Sequence, residues 1–127
     1  MKINDMNWTT ILIIAGVVAA FLLVAKGGQI SAKAAASYLK AGALVIDVRS
    51  PGEFKSGHLT NTINIPLDEI TAAVPQRWPD KSQVLLLHCQ SGMRSSVAQK
   101  KLTSLGYTNA FNLGSYGRAE SILKQAR

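Results

Sequence analysis

Apolar residues in this chain fall into one long block followed by several short runs. The block, residues 9–25, reads TTILIIAGVVAAFLLVA and contains no charge and no proline. Counted with Trp8, it reaches the lower end of the roughly 17–25 residues that a helix needs to cross a bilayer core. The pattern predicts a transmembrane helix, with Trp8 anchoring one interface and Lys26 snorkelling at the other. A secretory signal peptide and a buried core helix are the competing readings. Against cleavage, Lys2 is offset by Asp5, and Ala32-Lys33-Ala34 is only a poor small-x-small site.

Beyond a joint at residues 26–29, Lys-Gly-Gly-Gln, short apolar runs alternate with helix-like stretches, as in a βα-type domain. Ser31 caps a predicted helix through Lys40, rich in alanine and closed by Gly42. Ala43 to Ile46 is a buried strand that delivers Asp47 and Arg49 at its carboxyl end. Ser50, Pro51 and Glu53 carry three helix-start signals and predict a single turn. A brief strand at 62–66 stops at Pro66, a helix runs from about Asp68 to Val74, and residues 75–82, with two prolines, read as loop. Val84 to His88 is the most apolar strand and central in the sheet. Val97, Ala98, Leu102 and Leu105 form one helical face closed by Gly106. Ala110 to Leu113 is the last strand and Ser115 to Gln125 the last helix. The chain therefore divides into a tail (1–8), a span (9–25), a linker (26–29) and one α/β domain (30–127).

Charge adds an orientation and removes one class of partner. Lys2 alone precedes the span, whereas Lys26, Lys33 and Lys40 follow it, which predicts a single-pass protein with its domain in the cytoplasm. The single cysteine permits no intrachain disulfide, in keeping with a reducing compartment. The net charge of +7 is scattered, with Lys100-Lys101 the only adjacent basic pair in the domain. With no arginine-rich run and no aromatic interleaving, no nucleic-acid partner is expected. The basic surface is either a solvated face drawn to anionic lipid or a field that concentrates small anions.

The candidate chemistry lies at Cys89, where the apolar strand gives way to Gln90-Ser91-Gly92-Met93-Arg94-Ser95-Ser96. A strand, a short loop and a helix start aim backbone N–H groups and the positive end of a helix dipole at the loop's mouth. Such a site, with Arg94 nearby, lowers a thiol's pKa and makes Cys89 a candidate nucleophile, the alternative being a cysteine that only fills core space. Asp47 and Arg49, at another strand end, read mainly as a structural pair, Arg49 bonding either Asp47 or Glu53. His88 should point to the sheet face opposite Cys89. One cysteine and two distant histidines offer no metal-ligand spacing, and no cofactor is called for.

Four motifs in order, Asp47-Val48-Arg49-Ser50-Pro51-Gly52-Glu53-Phe54, Gly57-His58-Leu59, Ile63-Asn64-Ile65-Pro66 and His88 through Ser95, closely resemble the rhodanese (sulfurtransferase) domain family across roughly Ile30 to Leu123. The resemblance implies a three-layer α/β domain around a parallel sheet of about five strands, preceded here by a transmembrane helix as in membrane-anchored single-domain members. It also implies a Cys89 persulfide that takes sulfur from a thiosulfate-like anion and passes it to cyanide, a thiol or a protein. Backbone N–H groups of Gln90, Ser91, Gly92, Met93, Arg94 and Ser95 would hold the persulfide, and Arg94 the donor, with His58 structural. The Cys-x4-Arg spacing is one residue shorter than that of the related phosphatases, which favours one sulfur atom over a phosphate. Leu113-Gly114-Ser115-Tyr116-Gly117 departs from the family's two glycines and tryptophan, at a segment that helps to close the site. A membrane-tethered binding or sensing module without turnover is the alternative.

Overall fold

The computed structural model describes the backbone of residues 7–25 and 28–126, with side chains given outside 20–27. Helix α1 runs from Trp8 to Ala25. Among the described residues no helix is long and apolar enough to cross a membrane. The side chains of residues 20–25 of the expected span, and part of the 26–29 linker, lie outside the described residues.

The domain is a parallel sheet of β1 (Leu44–Asp47), β2 (Ile63–Asn64), β3 (Leu85–His88) and β4 (Ala110–Gly114), in the order β2-β1-β3-β4. Strand parity sorts its side chains into two cores. Ile46, Leu85 and Leu87 face α4 (Ile70–Arg77) and α5 (Met93–Ser104), where Ile70, Val74, Ala98 and Leu102 complete one cluster. Val45, Leu86 and Leu113 face α2 (Ala32–Lys40) and α6 (Tyr116–Ala126), closed by Ala35, Ala119, Ile122 and Leu123. Helices on both faces leave the strands without a wet side, which is why β3 is apolar throughout its first three residues.

The sheet has four strands instead of the about five that the resemblance implies, and Gln29 adds only one isolated parallel bridge, to Asn112 at the β4 edge. The chain has no room for more, because Ser31 accepts the Ala34 N–H and starts α2 two residues later. Other boundaries moved for equally local reasons. A 3₁₀ turn, Leu67–Glu69, leads into α4, which continues through Pro75 to Arg77 instead of stopping at Val74. The proline forfeits one N–H, but the Trp78 N–H still reaches Val74 O and buried Ile70 and Val74 hold the helix to the sheet. On α5 the buried face is Ser95, Ala98 and Leu102, while Val97 and Leu105 turn outward. The expected turn after Ser50 is α3, Pro51–Ser56, with a complete capping box between Ser50 and Glu53.

Candidate active site

Strand β3 carries Cys89 past its last paired residue and into the gap between β1 and β4. The Cys89 N–H donates to Gly114 O at 3.3 Å, which ties the start of the loop to the end of β4. Gly92 then turns the chain with φ +94°, a left-handed conformation that a side chain would strain, and α5 begins at the next residue. The result is a loop curled over one sulfur atom. The Gly92 N–H donates to Cys89 Sγ at 3.0 Å, and Ser95 Oγ lies 3.5 Å from the same sulfur.

Two opposed effects set the thiol's acidity. Cys89 has no exposed surface, and burial pushes its pKa up. The Ser95 hydroxyl and the backbone N–H groups of Ser95, Gly92 and Ser91 more than offset this and hold it below the ordinary cysteine value. The sulfur anion therefore forms more readily here than on a free cysteine, although Cys89 has no exposed surface. Donors fixed by the backbone need no reorganisation when charge appears on the sulfur.

The loop is braced from β4 by Asn112, which sequence reasoning passed over. Its Oδ1 accepts from the Gly114 N–H at 2.9 Å and from Ser95 Oγ at 2.7 Å, and its Nδ2 donates to Gly92 O at 3.3 Å. Asn112 faces the loop by ordinary strand parity, on the same side of β4 as Ala110, and β4 bulges just after it. Leu87 pairs with Asn112 but His88 pairs with Gly114, leaving Leu113 as the extra residue. The bulge ends at Gly114, φ +101°, where a Cβ would come within 2.8 Å of Gln29 Nε2. The only signal in the sequence was a polar residue inside an apolar strand.

The remaining predicted residues divide between the rim and the opposite face. Gln90 and Ser91 are exposed, and the Gln90 carbonyl accepts from the Tyr116 N–H at 3.2 Å. Met93, at the tip, is 76% exposed. Arg94 donates from Nη1 and Nη2 to the Glu53 carboxylate at 2.6 and 3.0 Å. That pairing joins the rim to α3 and holds Glu53 down to about 2, with help from Ser50. Arg94 also lines a groove with Ser50, Pro51, Leu67 and Lys101.

Asp47 and Arg49 are buried together. Arg49 Nε and Nη2 donate to the Asp47 carboxylate at 2.8–3.0 Å, and Nη2 also donates to Gly57 O. The Tyr116 ring covers the guanidinium at 4.9 Å and meets His88 edge-on. Burial pushes the His88 pKa down, so its imidazole is neutral at neutral pH. His58 donates from Nδ1 to Phe54 O and stacks on the Phe54 ring, which holds it on α3. Among the described residues no group of three or more His, Cys, Asp or Glu side chains is placed to hold a metal.

A sequence profile of the rhodanese-like domain matches residues 31–117. The thiosulfate sulfurtransferase PspE of Escherichia coli is 36% identical over 69 residues, which cover 54% of this chain and 66% of that protein. A thiosulfate:glutathione sulfurtransferase of Saccharomyces cerevisiae is 34% identical over 79 residues, 52% of this chain and 55% of that protein. The chain thus spans about two thirds of the length of the first of these curated relatives and just over half of the second. The structure of a human single-domain sulfurtransferase, TSTD1, superposes with a TM-score of 0.61 at 32% identity, covering 76% of this chain and 96% of that one. The profile takes in both strand ends and the whole Cys89 loop, and a parallel sheet with helices on both faces stands behind them: the chain belongs to the rhodanese-like domain family.

Proposed function

We propose that this protein is a sulfurtransferase that carries sulfur on Cys89. The observation that carries the reading is the Gly92 N–H aimed at Cys89 Sγ, with the N–H groups of Ser91 and Ser95 lowering the thiol's pKa from the same loop. Cys89 thiolate attacks the outer sulfur of thiosulfate or a similar sulfane anion. The S–S bond of the donor breaks, and sulfite leaves with the electron pair. The sulfur stays as the terminal atom of a Cys89 persulfide, whose negative charge meets the loop's N–H groups. An acceptor thiolate then attacks that terminal sulfur and expels Cys89 as thiolate, which restores the enzyme. Because Cys89 is buried, the donor must part the exposed rim at Gln90, Ser91 and Met93. The names of the relatives from Escherichia coli and yeast support thiosulfate as donor and a small thiol as acceptor.

Treating the intact protein with thiosulfate and weighing it tests the chemistry. Wild type should gain about 32 Da, one sulfur, and Cys89→Ser nothing. Absence of an adduct with every sulfane donor overturns the reading.

The same proposal places the domain at the cytoplasmic face of a membrane, held by residues 9–25. Support comes from the uncharged sequence and from the described side chains of α1, among which Leu12 and Ile13 are each 67% exposed. Such an apolar helix gains stability only by meeting lipid or another apolar surface. A reporter fused after Arg127 should be active only as a cytoplasmic fusion; activity confined to the other side reverses the lysine-based orientation.

A further inference from the structure

The connector after α1 is stitched into the rim of the Cys89 loop. Gln29 bridges Asn112, the Ile30 N–H donates to Asn112 O at 2.9 Å, and the Gln29 side chain packs beside Gly92 and Gly114. Only Lys26, Gly27 and Gly28 separate Ala25 from Gln29. Four Cα steps reach at most about 14 Å even when fully extended. Wherever α1 ends, the loop rim is on that short leash. The headgroup layer on each side of a bilayer core is roughly 5–8 Å thick. A leash of this length keeps the rim in or just above that layer if α1 is in the membrane.

The surface beside the leash suits such a position. Among the described residues of the domain, the exposed large apolar side chains are Met93 and Val97 on α5 and Leu105 at its C-cap. Met93 and Val97 share a groove with Gly28, Gln29 and Lys100. Residues 26–33 and 90–105 together hold Lys26, Lys33, Arg94, Lys100 and Lys101 with no acidic residue in either segment, and of these Arg94 is paired with Glu53 and, with Lys101, shares a groove with Asp68. An apolar pair flanked by cations of one sign is the pattern of a surface that dips into anionic lipid.

We propose that the rim of the Cys89 loop, through Met93, Val97 and Lys100, docks on the anionic surface of the membrane that holds α1, so that sulfur is exchanged at the headgroup layer. This rests on the anchored reading above. The acceptor it fits is a thiol presented at a lipid surface.

The full chain, reconstituted in vesicles of phosphatidylcholine and phosphatidylglycerol, tests it through single fluorophores placed at Met93→Cys, Thr108→Cys or Ile13→Cys in a Cys89→Ser background. Met93 and Thr108 are both exposed, and Thr108 sits at the opposite end of the sheet, before β4. Nitroxide-labelled lipid should quench the label at 93 several-fold more than the label at 108. The difference should shrink in pure phosphatidylcholine or with Lys100→Glu. Equal quenching at 93 and 108, with the label at 13 strongly quenched, overturns the docking while leaving the anchor in place. A label at 13 that lipid does not quench overturns both.

Discussion

His88 and Cys89 are neighbours in sequence, yet they serve two polar sites that sit back to back across the sheet. On the His88 side, charges are matched by side chains: Asp47 takes two nitrogens of Arg49, Gly57 O takes a further bond from Nη2, and the Tyr116 ring covers the guanidinium. On the Cys89 side, backbone N–H groups converge on a sulfur without any fixed counter-charge in contact with it. In the first arrangement the Asp47 and Arg49 charges are matched within the fold and tie strand ends together, although the buried His88 Nε2 has no hydrogen-bond partner. The second is complete only when negative charge appears on sulfur. On the sulfurtransferase reading proposed above, fixed charge serves the architecture and oriented dipoles serve turnover.

The largest effect that tests this division is Asp47→Ala. Both partners are buried, at 0% and 5% exposure, so removing the carboxylate strands a guanidinium inside the domain. Breaking a buried pair from one side typically costs about 3–5 kcal/mol, which denaturant unfolding should record as a lowered midpoint. The fraction that remains folded should still form the thiosulfate adduct. Loss of the adduct from well-folded Asp47→Ala protein would erase the distinction between the two faces.

Ser95→Ala probes the other face. Its hydroxyl is among the groups that lower the Cys89 pKa, so the variant's thiol should titrate at higher pH. A rise of one unit removes about tenfold of the thiolate at a pH below the pKa, and adduct formation near neutrality should slow by that factor. The rate should recover as pH rises. A depressed rate with an unchanged pH profile would reduce Ser95 to a prop between Asn112 and the loop.

How far each face could be read beforehand follows the range of its interactions. The Ser50–Glu53 capping box spans three residues and was legible, as was the strand–loop–helix setting of Cys89. Asp47 and Arg49 are two apart, and the sequence already offered them to each other. The Arg94–Glu53 pair joins residues 41 apart, and nothing in the local pattern announces it. Asn112 follows the parity of Ala110, but its meeting with the Cys89 loop depends on α5 packing on that face, which the local pattern does not announce. The fifth strand was overcounted because a cap at Ser31 outcompeted one more ladder bond, and α4 outran Pro75 because buried Ile70 and Val74 outweighed one lost N–H. At Pro75 tertiary contact overrode a local signal, whereas at Ser31 a local cap itself ended the extended segment.

The smallest effect concerns the bridge between the two regions, Glu53. Its Oε1 accepts from Arg94 Nη1, the Ser50 N–H and the Ser50 hydroxyl, and its Oε2 accepts from Arg94 Nη2. Arg94 first, then the Ser50 backbone and hydroxyl, lower its pKa from 4.5 to about 2. A carboxyl depressed in the folded state contributes stability that is fully present above its unfolded value, and this is lost as pH falls through the folded one. The wild type should therefore lose stability between about pH 4.5 and about pH 2 through this group. Glu53→Gln keeps an oxygen for the Ser50 N–H but carries no charge, so its acid limb should be flatter and should meet the wild-type curve near pH 2. The change at neutral pH should be slight, because both side chains are more than a third exposed and solvent screens the pair. Michaelis constants sharpen the test. Removing one negative charge beside the rim and releasing Arg94 should lower KM for thiosulfate with kcat nearly unchanged. A raised KM would instead mean that Glu53 holds Arg94 in position for the donor, and that this fixed pair is part of the catalytic face after all.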